Sequence, residues 1–426
     1  MAPGAVRRSS VCGVAVTTGA TSHAASWAGS RSAVIRASDR DAGDGWVNRS
    51  LLTDLAACHP TRRQEDFVMT EQLLDRVARY ERRFNRLFAE YFDTVRATLE
   101  APSFSRFTPD CLELLRDLSL RGGKRMRVVL LHEAARLVRD DAPAEALDAA
   151  ALSIELLQTH GLVHDDLIDD SATRRGGPTT HYAYRERFPR HPRAALGLTV
   201  LAGDLALALS LRVLLDAGLP VELRQAMTEV QTRAATDTFV GQIADLERDF
   251  GPAVTDDDIL HDVADHKSAR YSVLAPLSLG LLAAGEQPAP HEQELRRYAR
   301  LVGICGQMRD DYLDVFGDAA AMGKPTGTDI REGKRSYTVA RLLSAVSGSE
   351  RTLVEKALGD PACTPDTVAA IRDIGERRGV ADLMRADMRR YAERAGRVAA
   401  GWRPRWRDEA VTFFERLPLW SIERDG

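Results

Sequence analysis

The segment Ile154-Glu155-Leu156-Leu157-Gln158-Thr159-His160-Gly161-Leu162-Val163-His164-Asp165-Asp166-Leu167-Ile168-Asp169-Asp170 decides the fold class of this chain. It is an apolar stretch of helical character that ends in a cluster of aspartates. A helix places residues i and i+4 on one face, so Asp165 is paired with Asp169. Like charges at that spacing repel by roughly 0.2–0.5 kcal/mol. The breakers Gly176-Gly177-Pro178 put the cluster in the closing turns of its helix, where the dipole also disfavours anions. The same layout recurs at Arg309-Asp310-Asp311-Tyr312-Leu313-Asp314, after apolar Leu301 to Ile304 and before Gly317. Two clusters set against their local electrostatics call for a cation. Oxygen ligands without supporting Cys or His suit Mg²⁺ shared with phosphate oxygens.

Outward from these segments the chain is helix after helix. Leu73, Leu74, Val77, Tyr80, Phe84, Leu87 and Phe88 recur close to the helical period. Further helices are expected over about 110–119, 125–138, 144–170, 193–217, 220–248, 257–284, 289–316, 335–346, 365–396 and 407–418. Alternating strand-like runs are nearly absent, so the expectation is all-α and a single domain. Residues 1–68 have no sustained hydrophobic period and resemble a transit peptide in composition. They are expected to be a disordered N-terminal extension, with the catalytic domain over 69–426.

Composition narrows the function. A net charge of −4 gives no support for a nucleic-acid partner. The five cysteines lack metal or redox spacing and fit a reducing, cytoplasmic compartment. No uncharged apolar run reaches 18 residues, so no transmembrane segment is expected. Lysine is rare: five against 53 arginines. Four of the five, Lys124, Lys267, Lys324 and Lys334, stand in polar or Gly-rich motifs, where a compact ammonium charge is useful.

Arg121-Gly122-Gly123-Lys124-Arg125-Met126-Arg127 gathers cations around a glycine pair at a helix start, an arrangement suited to a diphosphate. Together with both Asp-Asp-x-x-Asp clusters, Arg174-Arg175-Gly176, Gly241-Gln242-x-x-Asp245, Lys267-Ser268, Gln307 and Gly323-Lys324 through Glu332-Gly333-Lys334, it occurs in the order of the trans-isoprenyl diphosphate synthases. The chain resembles that family over roughly 80–420, and its geranylgeranyl diphosphate synthases in particular. The resemblance implies a bundle of about ten or more helices around a central cavity. It also implies condensation of isopentenyl diphosphate with an allylic prenyl diphosphate, with about three Mg²⁺ ions per active site.

By resemblance, Asp165, Asp169 and Asp310 would ligate Mg²⁺, with Asp166, Asp311 and Asp314 close by. Arg174, Lys267 and Lys324 would hold the allylic diphosphate, and Lys334 would help close the site. Lys124, Arg127, Gln158 and Arg175 would bind isopentenyl diphosphate, with Arg125 adjacent. Ser268 and Gln307 would line the space between the substrates. This sequence departs from the family at Gly306, where an aromatic is usual, and at Ser268 and Val128 in place of threonine and proline. Chain length in the family follows bulk just before the first aspartates. His160 beside Gly161 is an intermediate filling and suggests a geranylgeranyl product.

Two other classes compete. A class I terpene cyclase would carry an Asn/Ser/Glu metal motif in place of the second cluster and would not need the basic motif at Lys124. A non-catalytic regulatory subunit would have lost aspartates from one cluster, and both are complete. The resemblance further implies a homodimer.

Overall fold

A computed structural model describes residues 62–251, 255–318 and 326–423, with side chains from Leu74 onward. The expectation for residues 1–68 lies outside the described residues, apart from the helix that begins at Arg62. Helix α1 (Arg62–Thr98) therefore runs through the expected boundary at Met69. Its Phe84, Phe88 and Phe92, one turn apart, are buried with Leu115 and Leu118 of α2 (Phe107–Leu120). Each buried phenyl ring contributes roughly 1.5–3 kcal/mol.

Helices α3 (Met126–Val138) and α4 (Ala144–Ile168) form the inner layer. Helix α4 is buried on almost every side from Ala146 to His160, as its run of alanines and leucines requires. After α4 the chain makes a two-residue antiparallel hairpin, β1 (Thr173–Arg174) with β2 (Gly177–Pro178), registered Thr173 to Pro178 and Arg174 to Gly177. Arg175 (φ 52°) and Gly176 (φ 74°) supply the two positive-φ turn positions that so tight a hairpin requires. Periodicity could not reveal strands of this length.

Short α5 (Thr180–Arg187) leads into α6 (Pro192–Leu215) and α7 (Val221–Asp249). Among the described residues, α6 is the one helix long and apolar enough to cross a membrane, yet it packs against α4 and α5. Next comes one continuous rod: α8 (Asp257–Ala264), a π-helix (Asp265–Leu274) and α9 (Ala275–Ala283). The π-helix lies pressed between α7 and α10 (Glu292–Phe316). A Cβ on Gly241 would stand 2.2 Å from the Lys267 backbone nitrogen, and one on Gly303 would stand 2.3 Å from Ala269 Cβ. Only glycine permits this approach.

The last layer is α11 (Thr328–Glu332), α12 (Tyr337–Ala345), α13 (Gly348–Ala357), α14 (Pro365–Arg377), α15 (Val380–Ala400) and α16 (Asp408–Glu423). The single helix expected over 365–396 is two helices, broken at Gly379 with φ 73°. Helices α5, α11 and α13 were not anticipated; each is ten residues or fewer, too short to show a period.

Candidate active site

The two aspartate clusters do close their helices, but they are not equivalent. In the first, Asp165 and Asp169 are partly exposed and Asp166 is buried. Cations from three elements converge on them. Arg174 on the hairpin donates from Nε to Asp166 Oδ1 at 2.5 Å and lies 3.6 Å from Asp165. Lys267 on the π-helix donates to Asp245 Oδ2 at 2.6 Å and stands 3.6 Å from Asp165. Lys334 reaches Asp169 at 3.1 Å and Glu332 at 2.8 Å.

Burial, with the charge on Asp165, raises the Asp169 carboxyl above its ordinary value despite Lys334. Burial also pushes Asp166 up to about 6, against the pull of Arg174. Burial would raise Asp245 as well, but Lys267 and Arg248 outweigh it and hold that carboxyl below its usual range. The cations around Asp166 and Asp169 thus do not fully offset the burial of these two carboxyls.

In the second cluster the work is divided. Asp310 is exposed. Asp311 is buried and accepts from Gln307 Nε2 and from the Tyr337 backbone N–H, both at 2.8 Å. Asp314, also buried, accepts from the backbone N–H groups of Thr328 (3.2 Å) and Asp329 (3.0 Å). These N–H groups open α11 and α12, so Asp311 and Asp314 are helix-capping ligands of backbone. Asp311 and Asp314, expected close beside Asp310, are thus held by backbone N–H groups.

On α3, Arg127 donates from Nη2 to Tyr271 Oη (2.8 Å) and Ser272 Oγ (2.7 Å), and its guanidinium lies over the Tyr271 ring. Its buried Nε has no acceptor among the described residues. Tyr271 Oη in turn donates to Gln158 Oε1 at 3.0 Å. Arg175 donates to the Gly122 carbonyl at 2.9 Å, and a Cβ on Gly123 would stand 3.0 Å from that guanidinium. Lys124 is exposed on the same loop. The hairpin thus divides its two arginines, Arg174 to the aspartates and Arg175 to the glycine loop. Ser268 Oγ donates to Gln307 Oε1 at 3.3 Å, which joins the two residues expected between the substrates.

Arg125 departs from expectation. It is 5% exposed and points into the core. Its guanidinium donates to Glu155 (2.7 Å), the Ser119 carbonyl (2.6 Å) and Asn85 (2.8 Å), and lies over the rings of Phe84 and Phe88. Arg125 is a strut that ties the loop to α1, α2 and α4. Lys324 lies outside the described residues. Tyr271, Asp245 and Glu332 were absent from the expected site. Asp245 carried a sequence signal through Gly241-Gln242-x-x-Asp245, whereas Tyr271 is placed only by the wide turn of the π-helix.

Gly161 and Gly306 each stand one turn before the first aspartate of a cluster. At both, a Cβ would meet no atom within 4 Å. Each aspartate helix therefore offers open space directly beneath its carboxylates. His160, by contrast, is buried, hydrogen-bonded to the Gly203 carbonyl at 2.9 Å and packed on Phe239, with ring centroids 5.2 Å apart.

Residues 109–374 match the model of the family described as "Polyprenyl synthetase". The chain belongs to the polyprenyl synthetase family. It is 30% identical over 296 residues to a geranylgeranyl diphosphate synthase of Sulfolobus acidocaldarius, covering 68% of this chain and 84% of that protein. It is 31% identical over 246 residues to the farnesyl diphosphate synthase of Escherichia coli, covering 56% and 77%. Among solved structures it resembles a geranylgeranyl pyrophosphate synthase of Corynebacterium glutamicum complexed with isoprenyl diphosphate and magnesium. That likeness has a TM-score of 0.74 and 28% identity, and it covers 81% of this chain and 98% of the other. This synthase is accordingly a prenyltransferase that makes a prenyl diphosphate.

Proposed function

We propose that this synthase joins isopentenyl diphosphate head-to-tail to an allylic prenyl diphosphate with Mg²⁺, and releases geranylgeranyl diphosphate and pyrophosphate. The observation that carries this reading is the presence of two separate cation sets: Arg174, Lys267 and Lys334 on the first aspartates, and Arg127 and Arg175 beside the glycine loop. A terpene cyclase needs only one such set.

Asp165, Asp169 and Asp310 would hold Mg²⁺. The fit rests on an oxygen-only donor set and on a first cluster whose burial its own cations do not offset. When bound, the ions neutralise charge that develops on the departing diphosphate oxygens. Lys267 and Arg174 hold the same leaving group, with Lys324 expected beside them, and Lys334 closes over it from the α11–α12 connection. Lys124, Arg127 and Arg175 anchor the diphosphate of isopentenyl diphosphate, and the unpaired Nε of Arg127 is a ready donor for it. Gln158 acts through Tyr271, while Gln307 and Ser268 orient the reacting carbons. The apolar space at Gly161 and Gly306 keeps water from the allylic cation. Proton loss to the departing pyrophosphate then completes the double bond.

The product-length reading rests on the turn of α4 before Asp165. His160, an intermediate side chain packed on Phe239, stands beside the open space at Gly161, which supports a geranylgeranyl product. A homodimer is supported by a solvent-facing apolar stripe: Leu196, Val200 and Leu201 on α6, with Val240 and Ile243 on α7. We place the enzyme in the cytoplasm, with a catalytic domain from about residue 69 and an N-terminal extension before it. The test incubates the protein with isopentenyl diphosphate and each allylic starter in turn, with Mg²⁺ or with EDTA. Elongation that requires Mg²⁺ is expected. No elongation from folded protein with any starter would overturn the reading.

A further inference from the structure

His160 and His164 are spaced i and i+4, so both imidazoles emerge from one face of α4, with ring centroids 4.4 Å apart. Asp204 on α6 faces them, with its Oδ1 3.7 Å from His164 Nε2. One donor atom from each of the three side chains lies within 4.8 Å of the other two. We propose that His160, His164 and Asp204 form a second metal site, distinct from the aspartate clusters, for a transition ion of the Zn²⁺ type.

Three features favour a ligand set over simple packing. The contact between His160 Nδ1 and the Gly203 carbonyl requires Nδ1–H to donate, which leaves the lone pair on Nε2. A backbone carbonyl on the far nitrogen is the usual way a ligating histidine is oriented. His164 packs on α6, where a Cβ on Gly203 would lie 2.3 Å from its ring; its Nε2, 3.2 Å from the Val200 carbonyl and 3.7 Å from Asp204 Oδ1, would exchange the carbonyl contact for the ion. His160 is buried, whereas the Asp204 side chain is 55% exposed. The site thus has a fixed wall and a movable, solvent-facing gate. Tetrahedral Zn²⁺ needs donor atoms roughly 3.3 Å apart, given bond lengths near 2.0–2.1 Å. A small swing of Asp204 supplies that approach.

The donor chemistry separates this site from the other one. Two imidazoles and one carboxylate, with a fourth position open to water, suit Zn²⁺, Co²⁺ or Ni²⁺. Mg²⁺ prefers an all-oxygen shell and does not compete here. A bound ion would clamp α4 to α6 immediately behind Asp165. The proposal shares His160 with the product-length reading, and its test reads metal binding rather than product.

The test titrates Zn²⁺ by calorimetry, and Co²⁺ by its visible absorption, into the full chain in excess Mg²⁺. One equivalent bound with Co²⁺ bands of low-coordinate imidazole ligation is expected. Asp204→Asn and His160→Gln should each weaken binding at least about tenfold. The double variant Asp165→Ala/Asp310→Ala should retain the equivalent. Wild-type affinity in Asp204→Asn would overturn the site. So would disappearance of the equivalent in the double variant, which would assign the ion to the aspartate clusters. Asp204 is exposed, so its variant folds and decides the matter even if His160→Gln does not.

Discussion

Replacing Arg125 by methionine should unfold this synthase rather than weaken its hold on substrate. The guanidinium makes three hydrogen bonds of 2.6–2.8 Å, and the Arg125 and Glu155 side chains are only 3% and 4% exposed. Methionine fills much of the volume but leaves the Glu155 carboxylate buried without its partner. Breaking a buried pair on one side costs about 3–5 kcal/mol. That is roughly a hundredfold to several thousandfold in the folding equilibrium. Replacing both partners with apolar residues removes the stranded charge, so Arg125→Met/Glu155→Leu should regain most of the loss. Chemical denaturation of the wild type, both single variants and the double variant closes the cycle. The KM for isopentenyl diphosphate, measured where Arg125→Met is still folded, should change little. The strut reading fails if Arg125→Met keeps wild-type stability while KM rises steeply, because Arg125 would then be a substrate ligand.

The second cluster should separate into two phenotypes. Asp310→Ala should abolish turnover with little loss of stability, whereas Asp311→Asn and Asp314→Asn should each lower stability by about 1–2 kcal/mol through weakened capping of α11 and α12; thermal melts and initial rates distinguish them. His160→Phe should shorten the product and His160→Ala lengthen it, as read by chromatography of the hydrolysed prenols; unchanged products from both would remove His160 from length control. His132 is stacked on Tyr80 and held by burial at about 4, below its ordinary 6.5. Its native state binds fewer protons than the unfolded chain, so its contribution is intact above about pH 6.5. It is lost as pH falls toward 4, at up to about 1.4 kcal/mol per pH unit. Denaturation at pH 7 and pH 5 should show a smaller drop for His132→Gln than for wild type; an equal drop would refute this assignment.

Periodicity and breakers determined that the chain is all-helical and where its long helices lie, because a core-facing stripe must repeat every 3.6 residues wherever it is buried. Spacing also put Asp165 with Asp169 and set the glycine loop apart as an anion site, since these are properties of one helix or one loop. Direction was another matter. Arg125 and Arg127 are two positions apart, yet one enters the core and the other faces Tyr271. Asp310 and Asp311 are neighbours, yet one is exposed and the other caps α12. Adjacent residues on a helix point about 100° apart, and which direction meets core, backbone or cavity depends on what packs there. The hairpin that sends Arg174 to the aspartates and Arg175 to the glycine loop, the π-helix that brings Lys267 to Asp245 and Tyr271 to Gln158, and the meeting of His164 with Asp204 are decided by contacts between distant elements. The sequence by itself determined which charges this synthase carries and on which helices. Only the packing of those helices decided which charges are buried in the core, which cap a helix and which gather around the first aspartates.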